Sequence, residues 1–273
     1  GGIGILIAFF FASLYLTISW TFWLPSLMIA LISFGGDKIE ISPKIRLICQ
    51  FLLAGIVLWN LELNKFLSFV NNSETAIVTT VLYLVLFIIF LILIVGTANL
   101  YNFMDGINGL AGITGVIAFF LLGTVSSSNE FSSDYSQLAF GISLATLGFL
   151  PFNFPKAKVF MGDVGSVLLG FVFGALVLLV STNWHDLLAY SGFVFPFYID
   201  EVTTMIERIR KKETLTQAHR QHFYQLLANE MKIPHWKISL GYGIVQLLIS
   251  ATLITFKSFH LSYTLILYLI LSI

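Results

Sequence analysis

Long apolar runs separated by short polar segments follow one another along the whole chain. A membrane-spanning helix needs about 20 apolar residues, because each residue adds about 1.5 Å of length. Runs near this length predict an all-α, polytopic transmembrane helical bundle of about ten spans, at 3–19, 24–35, 45–60, 77–98, 110–125, 137–152, 164–181, 187–199, 237–256 and 262–273.

The runs form one continuous series without an internal repeat or a low-complexity segment. We therefore expect residues 1–273 to form a single integral membrane domain. The first residue is Gly1 and the last apolar run reaches Ile273, so we expect both ends to be trimmed.

Composition strengthens the membrane interpretation. The chain is 58% hydrophobic and 10% charged, whereas a soluble domain carries about 25% charged residues. This composition excludes an ordinary water-soluble domain. The single cysteine, Cys49, excludes an intrachain disulfide and a cysteine-based zinc site.

Charge placement gives the bundle a direction. If the spans alternate, the loops near 36–46, 99–109, 153–163 and 200–237 lie on one side and hold 12 of the 14 Lys and Arg residues. The positive-inside rule makes these loops cytoplasmic, which predicts a multi-pass membrane protein whose polar loops face the cytoplasm. Tryptophans at the run ends suit an aromatic belt: Trp20, Trp23, Trp59, Trp184 and Trp236.

The unusual polar residues fall in the same four loops. In the stretch "ANLYNFMDGINGLAG", Asn99, Asn102 and Asp105 are spaced by three. On a helix, this spacing places them on one face. A charged residue at membrane depth costs about 2.5–3.5 kcal/mol and is usually functional. A helix cap followed by a surface turn is the alternative interpretation.

A second cluster lies in "PFNFPKAKVFMGDVGS". Asp163 stands between two glycines at the start of an apolar run, where it would either cap a helix or hold Mg²⁺ together with substrate phosphates. Lys156 and Lys158 offer cationic groups, and Phe160 could stack on a nucleobase.

The segment from Asp200 to Leu227 is the longest polar one, and its basic residues indicate a phosphate-binding surface. His219 and His222 flank Arg220 and lie three apart, so a helix could present both on one face. No third ligand at metal spacing is nearby, which argues against zinc. A cytosolic amphipathic connector is the alternative.

The fourth cluster is "GGDKIEISPKIRLICQ". Asp37 and Glu40 precede Ser42, which can cap a helix, and Pro43, which can take its first position. Lys44 and Arg46 then begin a span, and setting membrane orientation is the simpler explanation for both.

Together, the four loops place carboxylates, a histidine pair and many cations on one side of the bundle. Such a set suits Mg²⁺-assisted phosphoryl transfer, in which the metal neutralises phosphate charge and the protein mainly positions the reactants. Mn²⁺ could replace Mg²⁺.

The chain resembles the polyprenyl-phosphate N-acetylhexosamine-1-phosphate transferases, of the glycosyltransferase 4 type. This family includes phospho-N-acetylmuramoyl-pentapeptide transferase and the enzymes that start O-antigen, common-antigen and teichoic-acid linkage synthesis. The similarity rests on four strings in the family's order, "SPKIRLICQ", "NLYNFMDGINGLAG", "FPKAKVFMGDVGS" and "AHRQHFYQLL". The string "HRQHFYQ" is more similar to the O-antigen and common-antigen branch than to the muramoyl branch.

The resemblance implies transfer of an N-acetylhexosamine 1-phosphate from a UDP-sugar, such as UDP-N-acetylglucosamine, to undecaprenyl phosphate, with release of UMP. The reaction would start a cell-surface glycan such as the O-antigen of lipopolysaccharide. The partners would be the nucleotide sugar, the lipid and the membrane, without nucleic acid. Family members often pair, which allows a homodimer.

The same resemblance assigns roles to residues. It implies that Asp163 binds the metal and that Asp37 and Asp105 orient or deprotonate the acceptor. Asn102 and Asp105 would line the nucleotide site, Phe160 would lie near the uracil, and Lys44 near the lipid phosphate. The catalytic residues His219, Arg220 and His222 would meet the sugar and the diphosphate and stabilise developing charge. Asn99 and Lys158 are further candidate substrate-binding residues.

One position departs from the family pattern. The family carries an Asp-Asp pair where this chain has Gly36-Asp37, so the first acid is absent. This leaves open a catalytically impaired relative that binds lipid or nucleotide sugar. A transporter is a further alternative, although transporters place polar breaks near the bilayer midplane in repeat-related spans.

Overall fold

A computed structural model describes residues 1–36, 41–59, 76–127, 133–213 and 221–256. This described part contains eleven α-helices and no strand. The helices are α1 Gly2–Tyr15, α2 Trp20–Gly36, α3 Pro43–Trp59, α4 Ala76–Phe103, α5 Leu110–Ser126, α6 Ser133–Asn153, α7 Gly162–Val180, α8 Trp184–Ser191, α9 Phe195–Arg210, α10 Phe223–Asn229 and α11 His235–Phe256.

Four of these helices, α4, α6, α7 and α11, are long and apolar enough to cross a membrane, and α1, α2 and α5 are shorter apolar helices. Many large apolar side chains point outward, among them Phe11, Leu52, Ile92 and Leu144. An outer surface of this kind is stable only in hydrocarbon. The structure thus confirms the predicted polytopic helical bundle.

The centre of the bundle is α7, whose residues after the first turn are nearly all buried. It packs against α1, α2 and α4. A Cβ atom on Gly170 would lie 2.7 Å from the backbone of Ala98, so only glycine allows α4 to come this close. This contact brings the end of α4 beside the start of α7.

The prediction of one span at 187–199 is wrong. The chain forms α8, a 3₁₀ turn at Gly192–Val194 and then α9, which starts with Pro196 in its first turn. Proline is tolerated there but interrupts a helix interior. The run 262–273 and the predicted residue Glu40 lie outside the described residues.

Helix α9 also continues into the segment predicted as a polar loop. Its buried face carries polar groups, including Asp200, Glu201 and Arg208, while its outer face exposes Val202 and Ile206. This arrangement reverses the pattern of a soluble amphipathic helix.

Candidate active site

Two acidic residues from different helix ends form the centre of the candidate site. Asp163 is the second residue of α7, and Asp105 lies in the turn that follows α4. The guanidinium of Arg46, in the first turn of α3, lies 2.8 Å from the Asp163 carboxylate. The side chains of Arg46 and Asp163 are 31% and 30% exposed, so solvent-borne ligands can reach the pair.

The environment of Asp105 is electrostatically unfavourable for a negative charge. Burial, together with the nearby charge of Asp163, raises the pKa of Asp105 to about 7, although a hydrogen bond from the Gly162 amide acts in the opposite direction. Two carboxylates held in one place repel each other, and a cation between them would relieve the repulsion.

The two asparagines before Asp105 also point toward this site. Asn99 donates to Gln50 of α3 at 2.6 Å, and Asn102 accepts from the Ser166 hydroxyl of α7 at 2.6 Å. These contacts tie the end of α4 to both helices that carry Arg46 and Asp163. Asn99 and Asn102 lie three residues apart on α4, whereas Asp105 lies in the turn that follows, so the predicted helical face does not extend to Asp105.

The loop after α4 is fixed against the loop after α6. The Gly109 amide donates to Asn153 Oδ1 at 2.7 Å, and Asn153 Nδ2 donates to the Val159 carbonyl at 2.9 Å. Gly109 has φ +83°, and a Cβ atom there would lie 2.5 Å from the Phe154 ring. Glycine is thus required at this turn by both conformation and space.

Three predicted substrate contacts lie on the surface near these loops. Phe160 is 71% exposed, just before the start of α7, and Lys158 is exposed in the same loop. Lys44 is exposed in the first turn of α3, two residues before Arg46. Their placement leaves each side chain accessible to a ligand.

In the described part of the basic segment, His222 is buried rather than part of the predicted phosphate-binding surface. His222 lies immediately before the first residue of α10 and is 3% exposed, with Nδ1 3.3 Å from Glu201 Oε2 and 3.6 Å from Asp200 Oδ1. The predicted helix presenting both histidines on one face is wrong at His222, because this residue precedes the helix. A side chain this deeply buried also differs from a surface phosphate ligand.

Asp200 of α9 contacts the first two residues of α10 and one residue of α11. Its carboxylate accepts hydrogen bonds from the amides of Phe223 and Tyr224, at 2.8 and 3.2 Å, and from the Tyr242 hydroxyl at 2.5 Å. Burial alone would raise the pKa of Asp200, but the neighbouring His222 and these donors lower it below its usual value. Asp200 is therefore a carboxylate at neutral pH.

Three predicted residues, Asp37, His219 and Arg220, lie outside the described residues. Sequence reasoning also missed several groups that the structure brings together: Gln50, Asn153, Ser166, Asp200, Glu201, Tyr224 and Tyr242. Arg46 was explained as a topogenic charge, yet it contacts the predicted metal ligand. No local pattern in the sequence indicates this ion pair, because its two members are 117 positions apart.

The alternative that Asp163 caps a helix is also wrong. The residue preceding α7 is Met161, and no side chain caps this end of the helix. Ser42 does cap α3 as predicted, since its hydroxyl accepts from the Ile45 amide at 3.4 Å.

The donor set fits Mg²⁺ bound together with a substrate. Among the described residues, no group of three His, Cys, Asp or Glu side chains could hold a metal ion. Mg²⁺, however, is usually bound by one or two carboxylates plus substrate phosphates and waters. Asp105, Asp163 and the Asn102 amide oxygen provide such a partial shell.

Comparison with known proteins gives one family. The model described as glycosyl transferase family 4 matches residues 19–181. Curated phospho-N-acetylmuramoyl-pentapeptide-transferases are similar over shorter stretches. That of Staphylococcus saprophyticus is 34% identical over 115 residues, which cover 40% of this chain and 35% of the relative.

The corresponding enzyme of Buchnera aphidicola is 35% identical over 122 residues, covering 43% of this chain and 34% of the relative. That of Listeria monocytogenes is 32% identical over 151 residues, covering 52% of this chain and 43% of the relative. The matched parts thus span less than half the length of these relatives.

Proposed function

Because the chain belongs to glycosyl transferase family 4, we propose that it transfers an N-acetylhexosamine 1-phosphate from a UDP-sugar to a polyprenyl phosphate. The released product is UMP. The observation that carries this proposal is the Asp105–Asp163 pair beside Arg46, since it joins carboxylates for a metal to a cation for phosphate.

The reaction needs positioning more than activation. An oxygen of the lipid phosphate attacks the β-phosphorus of the UDP-sugar, and the bond from that phosphorus to the bridging oxygen breaks, so that UMP leaves with the electron pair. Arg46 is placed to stabilise phosphate charge, because guanidinium groups bind phosphate bidentately. Asp105 lies near Asp163, where it is placed to accept the proton of a monoprotonated lipid phosphate.

Mg²⁺ is part of the proposal. Asp163 would hold it, with Asp105 and Asn102 as neighbouring oxygen donors. When bound, the ion would neutralise the charge of the diphosphate. Asp37, His219 and Arg220 keep their predicted roles in orienting the acceptor and meeting the diphosphate, and Phe160 keeps its predicted role beside the uracil.

An apolar cavity supports the lipid acceptor. It has a volume of about 570 Å³ and lies between α9, α10 and α11. Phe195, Ile199, Ile233 and Val245 line it together with Lys237. Such a surface suits the isoprene units of the acceptor.

The placement of basic loops supports a cytoplasmic site in a bacterial inner membrane. A transporter is disfavoured, because Asp105 and Asp163 lie at helix ends and the sequence contains no internal repeat. An impaired relative that binds without turnover remains the competing proposal, and Gly36 is its basis.

Two donors are in competition. The "HRQHFYQ" string favours UDP-N-acetylglucosamine or a similar hexosamine and the start of O-antigen or related glycan synthesis. The names of the curated relatives favour UDP-N-acetylmuramoyl-pentapeptide. We propose the first donor class and keep the second as a measurable alternative.

The test uses the full chain in nanodiscs with undecaprenyl phosphate, Mg²⁺ and a panel of UDP-sugars. UMP release and the mass of the lipid product are measured. UDP-N-acetylhexosamine should give a lipid-linked diphosphosugar. Product only with the muramoyl donor selects the alternative, and no product with any donor contradicts the transferase proposal.

A further inference from the structure

The beginning of α10 is held by one carboxylate from another helix. Asp200 of α9 is 4% exposed, and it accepts from the first two backbone amides of α10. Amides at a helix start have no partner within the helix, so a carboxylate there is stabilising. The hydroxyl of Tyr242 completes the contact from α11.

His222 occupies the position just before these amides. Its backbone amide donates to the Gln225 side chain at 3.3 Å, and its ring stacks on Tyr224 with centroids 5.6 Å apart. Its Nδ1 faces both Asp200 and Glu201. Through these contacts, the His222 imidazole links α9 to α10 in the protein interior.

Tyr224 connects the start of α10 to the turn that contains Asp105. It is fully buried, and its hydroxyl donates to the Phe103 carbonyl at 3.0 Å. A Cβ atom on Gly106 would collide with that hydroxyl. Phe103 and Gly106 lie on either side of Asp105, so the start of α10 and the Asp105 turn are in direct contact.

We propose that His222 is a positioning residue, which with Asp200 fixes the start of α10 and so, through Tyr224, places the Asp105 turn opposite Asp163. This inference rests on the proposed function. It replaces the expectation that His222 touches the sugar or the diphosphate. Misplacing a reacting group by about 1 Å can cost about 100-fold in rate, so an indirect role is sufficient to affect turnover.

The role predicts rescue by a particular substitution. Asn is a good residue before a helix start, because its oxygen accepts from the helix amides and its amide group can donate to the two acids. It cannot carry a positive charge. His222→Asn should therefore keep the start of α10 in place, whereas His222→Ala should not.

The experiment compares both variants in nanodiscs, with Asp186→Asn as a control for a buried, hydrogen-bonded carboxylate at another helix start. We expect His222→Ala to lower kcat at least about tenfold with little change in the donor KM, and His222→Asn to keep at least about a third of wild-type kcat. Lower activity of His222→Asn would overturn the inference, because the imidazole itself would be required. Wild-type kcat in His222→Ala would also overturn it.

A second measurement does not depend on activity. Hydrogen exchange of the amides at 104–109 should accelerate in His222→Ala and Tyr224→Phe but not in His222→Asn or the control Tyr135→Phe, whose ring packs on Phe22. Unchanged exchange in Tyr224→Phe would overturn the link to the Asp105 turn. If the wild type proves inactive, the proposed function fails, and the exchange data still decide the structural claim.

Discussion

Asp163 of α7 and Asp186 of α8 both lie in the first turn of a helix, and the two residues have different surroundings. Asp186 of α8 is 8% exposed and accepts from the Thr182 hydroxyl at 2.6 Å and from the Thr182 amide at 3.2 Å. Asp163 of α7 is 30% exposed, and its ionic partner, Arg46, is 117 positions away in the chain.

The comparison separates a structural acid from a functional one. Thr182 and Asn183, which donate to the Asp186 carboxylate, lie within four residues of it, and Asn183 caps the same helix, so these contacts complete a local turn. Asp163 completes no cap. It contacts a cation from α3 and stands near a second carboxylate that its charge perturbs. A carboxylate whose hydrogen-bond donors are neighbours in the chain has a stabilising role. An accessible carboxylate whose partner comes from a distant helix is a candidate catalytic or metal-binding group.

The largest expected effect comes from removing each charge. Asp163→Asn should lower kcat/KM by about 100-fold or more, because it removes the proposed metal carboxylate. Asp186→Asn should keep activity within about threefold and lower the free energy of unfolding by about 1 kcal/mol. Activity is measured as UMP release and stability by thermal unfolding. Equal activity losses in the two variants would remove the distinction.

A smaller effect is expected at the partner of Asp163. Arg46→Gln should tighten Mn²⁺ binding about two- to fivefold, because a partly exposed ion pair contributes up to about 1 kcal/mol and competes with the metal. The measurement is a titration followed by electron paramagnetic resonance. Lys44→Gln, two residues earlier and exposed, is the matched control. Weaker binding in Arg46→Gln would show that the guanidinium does not compete.

The helix starts themselves provide a third comparison. Gly162 has φ +69°, and alanine there should cost about 1–2 kcal/mol of stability. The substitution should also lower turnover, because the backbone change that alanine forces would move the Gly162 amide, which donates to Asp105. Asn183→Ala should cost about 1 kcal/mol and leave turnover unchanged. Unfolding and UMP release are measured on both, and unchanged turnover in Gly162→Ala would contradict the assigned contact.

The last comparison concerns the pH dependence of stability, with Asp105→Asn as the reference. The pKa of Asp105 is about 7 in the folded protein, against an ordinary 3.8, so folding disfavours its charged form. Without metal, the stability of the wild type relative to Asp105→Asn should fall as pH rises through that window and then level off. Thermal unfolding at stepped pH checks this. A relative stability that rises with pH would give the wrong sign.

Much of the fold could be predicted from the sequence, because bilayer thickness fixes the length of an apolar helix. The run 237–256 lies within the bounds of α11, His235–Phe256. The break at Gly192–Val194 had local signals that the prediction of one span did not use, because Ser191-Gly192 stand at the break and Pro196 follows it. The length of α9 was not predicted, because its buried face carries polar residues and the segment therefore resembles a polar loop.

The candidate site was predictable where spacing within one segment sufficed. Asn99, Asn102 and Asp105 share a helix end, and Asp163 stands out between glycines. Arg46 was misread, because its ion pair depends on the packing of α3 near α7 and no local pattern encodes it. The burial of His222 likewise depends on Asp200 and Glu201 from another helix.

The central claim is that the Asp163 site transfers a phosphosugar rather than a sugar alone. A UDP-N-acetylhexosamine carrying radioactive phosphorus only at the β-position tests this most directly, with wild type and Asp163→Asn in parallel. If the phosphosugar is transferred, the label appears in the lipid with wild type, unlabelled UMP is released, and Asp163→Asn gives almost none of either product. Label that remains in the nucleotide as UDP while sugar reaches the lipid would contradict it.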